Sequence, residues 1–225
     1  MKKFREKGFT LVELLIVIAL IAILSVGVLA TINPVEQRNK ATDSTTANDA
    51  GEVLNSYERY YTNASAYPWM VIDSTILSDD EFYALSNQVG FGLCGTSATS
   101  GVTTGTACSS YDQAGTLIGS DELKDSFLQK GYGKTTGATG YNINNLLFLV
   151  KQDATNHNSI YVCYIPKAKS NRTKSNNLKK LSADQTTGVP TALVDAEDTD
   201  FDSSGNPVST FLFTHPSNSL FKCVP

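Results

Sequence analysis

The sequence has almost no histidine: only His157 and His215 occur in 225 residues. It contains no HExxH, no GxSxG and no phosphate-binding glycine loop. Zinc hydrolysis, serine hydrolysis and nucleotide chemistry therefore lack the residues that usually carry them. Cysteine is scarce as well, with Cys94, Cys108, Cys163 and Cys223. No CxxC joins any two of them, which excludes the common zinc spacings. A surplus of positive charge is also missing. The formal net charge is −4, a poor basis for non-specific nucleic-acid binding. Most telling, charge of either sign is absent from Leu14 to Val35, a run of 22 positions.

As an α-helix that run covers roughly 33 Å, enough to cross a bilayer core of about 30 Å. One carboxylate, Glu13, stands at its start. A charge at that edge costs free energy unless it has a partner or a function. Ahead of the run lies MKKFREK, where Lys2, Lys3, Arg5 and Lys7 oppose Glu6. That segment carries +3, so the rest of the chain carries −7. Its cations predict a cytoplasmic N-terminus with everything after the run facing outward.

A basic leader, then Gly8-Phe9-Thr10-Leu11-Val12-Glu13-Leu14-Leu15, then a long apolar run resembles the prepilin processing segment. Type IV pilins and the pseudopilins of type II secretion share this segment. The resemblance covers about the first 60 residues and fixes a Gly, an aromatic residue and a Glu at set spacings. It implies a cut between Gly8 and Phe9 by a membrane-embedded prepilin peptidase, then methylation of the new Phe9 amino group. It also implies that Glu13 pairs with the Phe9 ammonium of a neighbouring subunit. In a low-dielectric layer each ion alone is expensive to desolvate, so meeting one another sets the axial register. The implied partners are a homo- or heteropolymer of pilin-like subunits, the peptidase, an inner-membrane assembly platform and membrane lipid. The implied subunit is structural, not an enzyme.

Three other readings compete for this stretch. One is a secretory signal peptide cut after Val28-Leu29-Ala30, but the run exceeds the usual apolar length and contains Glu13. Another is a plain anchor for a surface binding module or enzyme, which leaves Gly8-Phe9 and Glu13 unexplained. The third is a buried core helix, which the length disfavours.

The chain then divides into a leader at 1–8, a membrane or filament-core helix at 9–35, an amphipathic continuation at 36–62 and an exported head at 63–225. Gly27 and Pro34 predict a kink or loosened turn, because proline lacks an amide hydrogen and clashes with the preceding turn. Residues 36–49 are polar almost all round. Beyond them Ala50, Val53, Leu54, Tyr57, Tyr60 and Tyr61 recur at helical spacing, a stripe suited to packing under the head. The helix should end near Asn63, with Pro68 following.

In the head, Ser78 and Glu81 form a capping box that predicts a short helix to about Val89. Residues 92–115 read as loop. Ser120-Asp121-Glu122 predicts a second short helix to about Lys130. The strand signal is clearest at Ser159–Ile165, paired with Asn145–Val150 through a loop at 153–158. Further strands are expected at Ser209–Phe213 and Leu220–Val224. The expected fold class is α+β: a long N-terminal helix, membrane-spanning in its first half, packed against a small antiparallel sheet. An exported chain with four cysteines suits two bridges. Of three possible connectivities the favoured one joins Cys94 to Cys108 and Cys163 to Cys223.

Two charged blocks remain. Lys167, Lys169, Arg172, Lys174, Lys179 and Lys180 are basic; Asp195, Glu197, Asp198, Asp200 and Asp202 are acidic. They could face each other, but the default reading is two solvated loops. The basic block lacks interleaved aromatics, so no nucleic acid is expected. Asp198, Asp200 and Asp202 alternate, as oxygen ligands of Ca²⁺ do. Major pseudopilins often hold calcium near the C-terminus, yet no glycine stands at Ser203 and no Glu at Ser209, so the loop is no EF-hand. Calcium would favour a pseudopilus; two cysteine pairs and a large head favour a pilus or a minor subunit. Asn63-Ala64-Ser65 and Asn171-Arg172-Thr173 match the short glycosylation pattern.

Overall fold

The computed structural model describes residues 8–31, 33–72, 75–76, 82–95, 115–132, 145–151, 160–183, 190–208 and 219–224. The fold is α+β, with an N-terminal apolar helix, a second long helix and a six-stranded antiparallel sheet. The chain forms two compact units, Met1–Arg38 and Asn39–Pro225.

In the first unit α1 runs Leu11–Thr31. Helix α2 is Pro34–Ala64 and opens within the same unit. The Asn33 side chain accepts the Glu36 amide at 3.2 Å, and its carbonyl accepts the Gln37 amide at 3.2 Å. Asn33 is thus the N-cap and Pro34 the first helical residue, where a missing amide hydrogen costs nothing. Pro34 starts a new helix instead of interrupting one. Gly27 lies inside α1 with open space around it.

In the second unit, Asp43, Asp49, Ala50, Val53, Leu54, Ser56 and Tyr57 of α2 are buried. Tyr57 donates its hydroxyl to the Phe91 carbonyl and meets Trp69 and Phe91 edge-on, at 5.5 and 6.0 Å between ring centroids. Tyr60 is half-buried and Tyr61 exposed, with Tyr61 lying against Tyr67 at 4.6 Å. The aromatic stripe is core packing, as its spacing predicts, except at its C-terminal end.

After α2 come β1 (Val71–Ile72), β2 (Thr75–Ile76), β3 (Phe82–Leu85), α3 (Thr116–Gly119) and α4 (Ser126–Gln129). Then follow β4 (Leu147–Lys151), β5 (Ile160–Tyr164), β6 (Lys179–Ala183), β7 (Pro190–Asp195) and β8 (Leu220–Val224). β1 and β2 form a two-stranded ribbon. The large sheet has the order β3-β4-β5-β8-β6-β7, with every pairing antiparallel. Both of its faces are covered. Leu147, Leu149, Val162 and Tyr164 join Ala50, Val53 and Tyr57 in one core. Phe148, Val150, Cys163, Leu193, Leu220 and Phe221 form a second core. Alternation along β4 sends successive residues to opposite cores.

The expected β4–β5 pair and β8 are present. Two expected helices are not as predicted. Phe82–Leu85 is strand, not helix, since it completes the hydrogen bonding of β4 from Phe82↔Lys151 to Leu85↔Phe148. Leu85 and Ser86 are fastened further by bonds to Gln88 Oε1 and the Leu147 carbonyl. The helix expected from Ser120 begins only at Ser126. Asp121 takes a left-handed conformation, and the Leu123 amide turns back to the Leu117 carbonyl at 3.0 Å. That turn buries Leu123, a gain that outweighs local helix propensity. Strands β6 and β7 were not expected. The Ser78 capping box, the 153–158 loop, the strand at Ser209–Phe213, Cys108, His157 and His215 lie outside the described residues.

Gly115 occupies a place that no side chain fits. A Cβ there would lie 2.3 Å from the Gly92 carbonyl oxygen and 2.7 Å from the Leu93 carbonyl carbon. The Gly115 amide also donates to the Leu93 carbonyl at 2.9 Å. A Gly115→Ala chain is expected to lose about 3 kcal/mol of head stability, read from urea unfolding.

Candidate functional site

The candidate site lies at the start of α1. Gly8, Phe9 and Thr10 precede the helix and are exposed, Phe9 to 83%. Thr10 and Glu13 form a reciprocal capping box. The Glu13 carboxylate accepts the Thr10 amide and the Thr10 hydroxyl, each at 2.9 Å. The Glu13 amide donates to the Thr10 hydroxyl oxygen at 3.2 Å. The first helical bond then runs from the Leu14 amide to the Thr10 carbonyl. The box satisfies amides that a helix start otherwise leaves open. It also gives Glu13 partners within its own chain.

From Leu11 to Val28 the helix is apolar on every side and wholly exposed within this chain. A helix apolar all round requires lipid or other helices against it. It is long enough to cross a membrane. Its single charge, Glu13, sits in the first turn, bonded to Thr10.

In the head the calcium-like residues turn to different partners. Asp198 pairs with Lys174 at 2.6 Å and Asp200 with Lys180 at 2.8 Å. Asp200 also accepts the Glu197 amide at 2.7 Å. Asp202 accepts the Ser204 and Asn206 amides at 2.8 and 2.9 Å. Those amides, Asn206 first, hold its carboxyl below the usual range. Among the described residues no three acidic, histidine or cysteine side chains converge as metal ligands. In this arrangement the three carboxylates are engaged by lysines and backbone amides. The basic and acidic blocks do face each other, contrary to the default reading. Besides the pairs above, Lys179 meets Asp195 at 2.7 Å across β6 and β7. Pairing of the two strands brings the blocks together, which neither block announces alone.

The polar residues that tie α2 to the head were not predicted. Asp43, inside the polar stretch, is 2% exposed. Its carboxylate accepts the Lys167 amide at 2.7 Å, the Ala168 amide at 3.0 Å and the Asn171 side-chain amide at 2.8 Å. Asp49 receives the Lys130 ammonium at 2.6 Å and the Tyr132 hydroxyl at 2.5 Å. Arg59 and Asn63 both hold Glu122. Asp43→Ala would take the carboxylate from one buried and one part-buried backbone donor and is expected to cost about 2–4 kcal/mol, measurable by thermal unfolding.

Burial, and next the nearby Asp43 charge, push the Tyr164 hydroxyl up to about 12. Burial raises Tyr57 and Tyr132 in the same direction. In the unfolded chain a tyrosine loses its proton near pH 10, by the usual value of about 10. The folded state therefore holds protons that the unfolded state releases. Stability from this source is complete below about pH 10 and falls as pH rises toward about 12. Urea midpoints measured across that interval should decline, and less steeply in Tyr164→Phe.

Cys163 and Cys223 are bridged and face each other directly in the β5–β8 register. Cys94 is disulfide-bonded as well.

Residues 3–29 match the family described as the prokaryotic N-terminal methylation motif. The chain thus carries the prepilin-cleavage signature of type IV pilins and pseudopilins. The match ends before α2, so the head stands outside it. Among curated proteins and solved structures none matches the chain.

Proposed function

We propose that this chain is the precursor of a structural filament subunit, cut between Gly8 and Phe9 by a prepilin peptidase and assembled through α1. The supporting observation is the coincidence of the methylation motif with a fully exposed apolar helix whose one charge is Glu13. Before assembly α1 lies in the membrane with the head outside. Afterwards it packs among copies of itself or related subunits, helped by an inner-membrane platform. Moving from lipid to filament keeps apolar surface away from water in both states, so helix packing and the Glu13 charge decide specificity. Pairing of Glu13 with the methylated Phe9 ammonium of a neighbour belongs to this reading. Of the two filament classes the pilus is preferred. A bridged head suits an exposed surface fibre. Gly27 is proposed as the place where α1 bends within that fibre.

Mass spectrometry of the mature protein tests the reading. The expected result is a chain beginning at methylated Phe9. A chain beginning at Met1 would overturn it in favour of an anchored surface protein, and one beginning at Thr31 in favour of a secreted one.

A further inference from the structure

We infer that Thr10 is a positioning residue for the processing reaction: its capping box with Glu13 ends the helix at Leu11 and so holds the Gly8–Phe9 bond in non-helical, accessible chain. This rests on the prepilin reading above and specifies how the substrate is presented.

Three observations carry it. First, the box is fully formed, with Glu13 closing on both the amide and the hydroxyl of Thr10. An N-cap residue leaves the helical conformation itself, so the residues before it are kept out of the helix. Second, Phe9 is 83% exposed and Gly8 is exposed, so the bond between them is open to another molecule. Third, among the described residues nothing requires glycine at position 8. A Cβ there would meet no described atom within 4 Å, and the backbone conformation is not one reserved for glycine. Close approach by an outside partner supplies the missing reason, since glycine lets another backbone come near.

Hydrolysis breaks the bond from the Gly8 carbonyl carbon to the Phe9 nitrogen. Water adds hydroxide to the carbon and a proton to the nitrogen, and the carboxylic acid so formed passes its proton to the amine, leaving a Gly8 carboxylate and a Phe9 ammonium. Attack needs the carbonyl free of helical bonding and at a set distance from the membrane-embedded helix. Without the Thr10 hydroxyl, the helix boundary shifts and that distance is lost. Valine matches threonine in shape but caps poorly, whereas serine caps well.

The test uses the full-length precursor in lipid nanodiscs with purified prepilin peptidase. Thr10→Val should lower kcat/KM by about fivefold or more, the size expected from loss of one cap. Thr10→Ser should stay within about twofold of the parent, again on the cap ranking. Hydrogen exchange reports the box separately: the Glu13 amide should lose protection in Thr10→Val while residues beyond Ile16 keep theirs. Loss of that protection with unchanged cleavage would overturn the positioning role, as would equal slowing in Thr10→Ser. If the parent chain itself is not cut, the precursor reading fails, which is a different result from a slow variant.

Discussion

A Glu13→Ala chain is expected to enter the membrane normally and to yield filaments at less than about a tenth of the parent amount. Insertion survives because the substitution removes the one charge in the span from Leu11 to Val28; the helix only becomes more apolar. Assembly suffers because a neighbour's Phe9 ammonium then enters the filament core without its counter-ion. Breaking one partner of a buried pair costs about 3–5 kcal/mol, while a tenfold loss needs only about 1.4 kcal/mol. The substitution also opens the capping box, so a Glu13→Gln chain is the sharper comparison. Glutamine can still accept the Thr10 amide but carries no charge. If charge sets the register, both variants fail to assemble. Fractionating cells into membrane and sheared-fibre samples measures insertion and yield together. Normal fibre yield from Glu13→Gln would refute the ionic role.

The second large effect is expected at the head's covalent bridge. Replacing Cys163 and Cys223 together by serine should cost about 4 kcal/mol, the chain-entropy value for closing a loop of this size. The bridge spans 60 residues of sequence. Typical domains have only about 5–15 kcal/mol to lose, so the variant should sit near the edge of folding. The topology makes the position sensitive. β8 pairs with β5 on one side and with β6 on the other, so it joins the two halves of the sheet. Its pairing with β6 is short, covering Lys179↔Phe221 and Lys180↔Leu220. Loosening β8 should therefore release β6 and β7 before β3, β4 and β5. Hydrogen exchange on the oxidised and reduced protein checks this order. Uniform loss of protection across the sheet would contradict it.

Legibility in the sequence followed distance along the chain. The N-terminal devices were readable because their parts are neighbours. Gly8 touches Phe9 and Glu13 opens the apolar run, whereas the Thr10–Glu13 capping box, though only three residues apart, was not anticipated. The β4–β5 pair was readable because its apolar runs stand well above their surroundings. Asp43 and Asp49 were not singled out because their stretch is polar and their partners are remote. Lys130 lies 81 residues from Asp49, and the Lys167 amide lies 124 residues from Asp43. β6 and β7 were missed for a related reason. KKLSA and PTALVD have little strand character, and their place depends on β8 and on the ion pairs between the charged blocks. The exposed pairs among them contribute little energy individually, so neither block could have identified its partner beforehand.

By itself, then, the sequence determined the class of the N-terminal helix, its processing motif and the acid at its start. All three follow from composition and short spacing, where hydrophobic transfer and helix capping act within a turn or two. Only the tertiary structure decided that the last strand lies in the middle of the sheet, that two aspartates of a polar helix are buried, and that the acidic turn is spent on lysines and amides. Each of these depends on contacts between residues far apart in the chain. Such contacts follow from the packing of the whole head and not from any local preference.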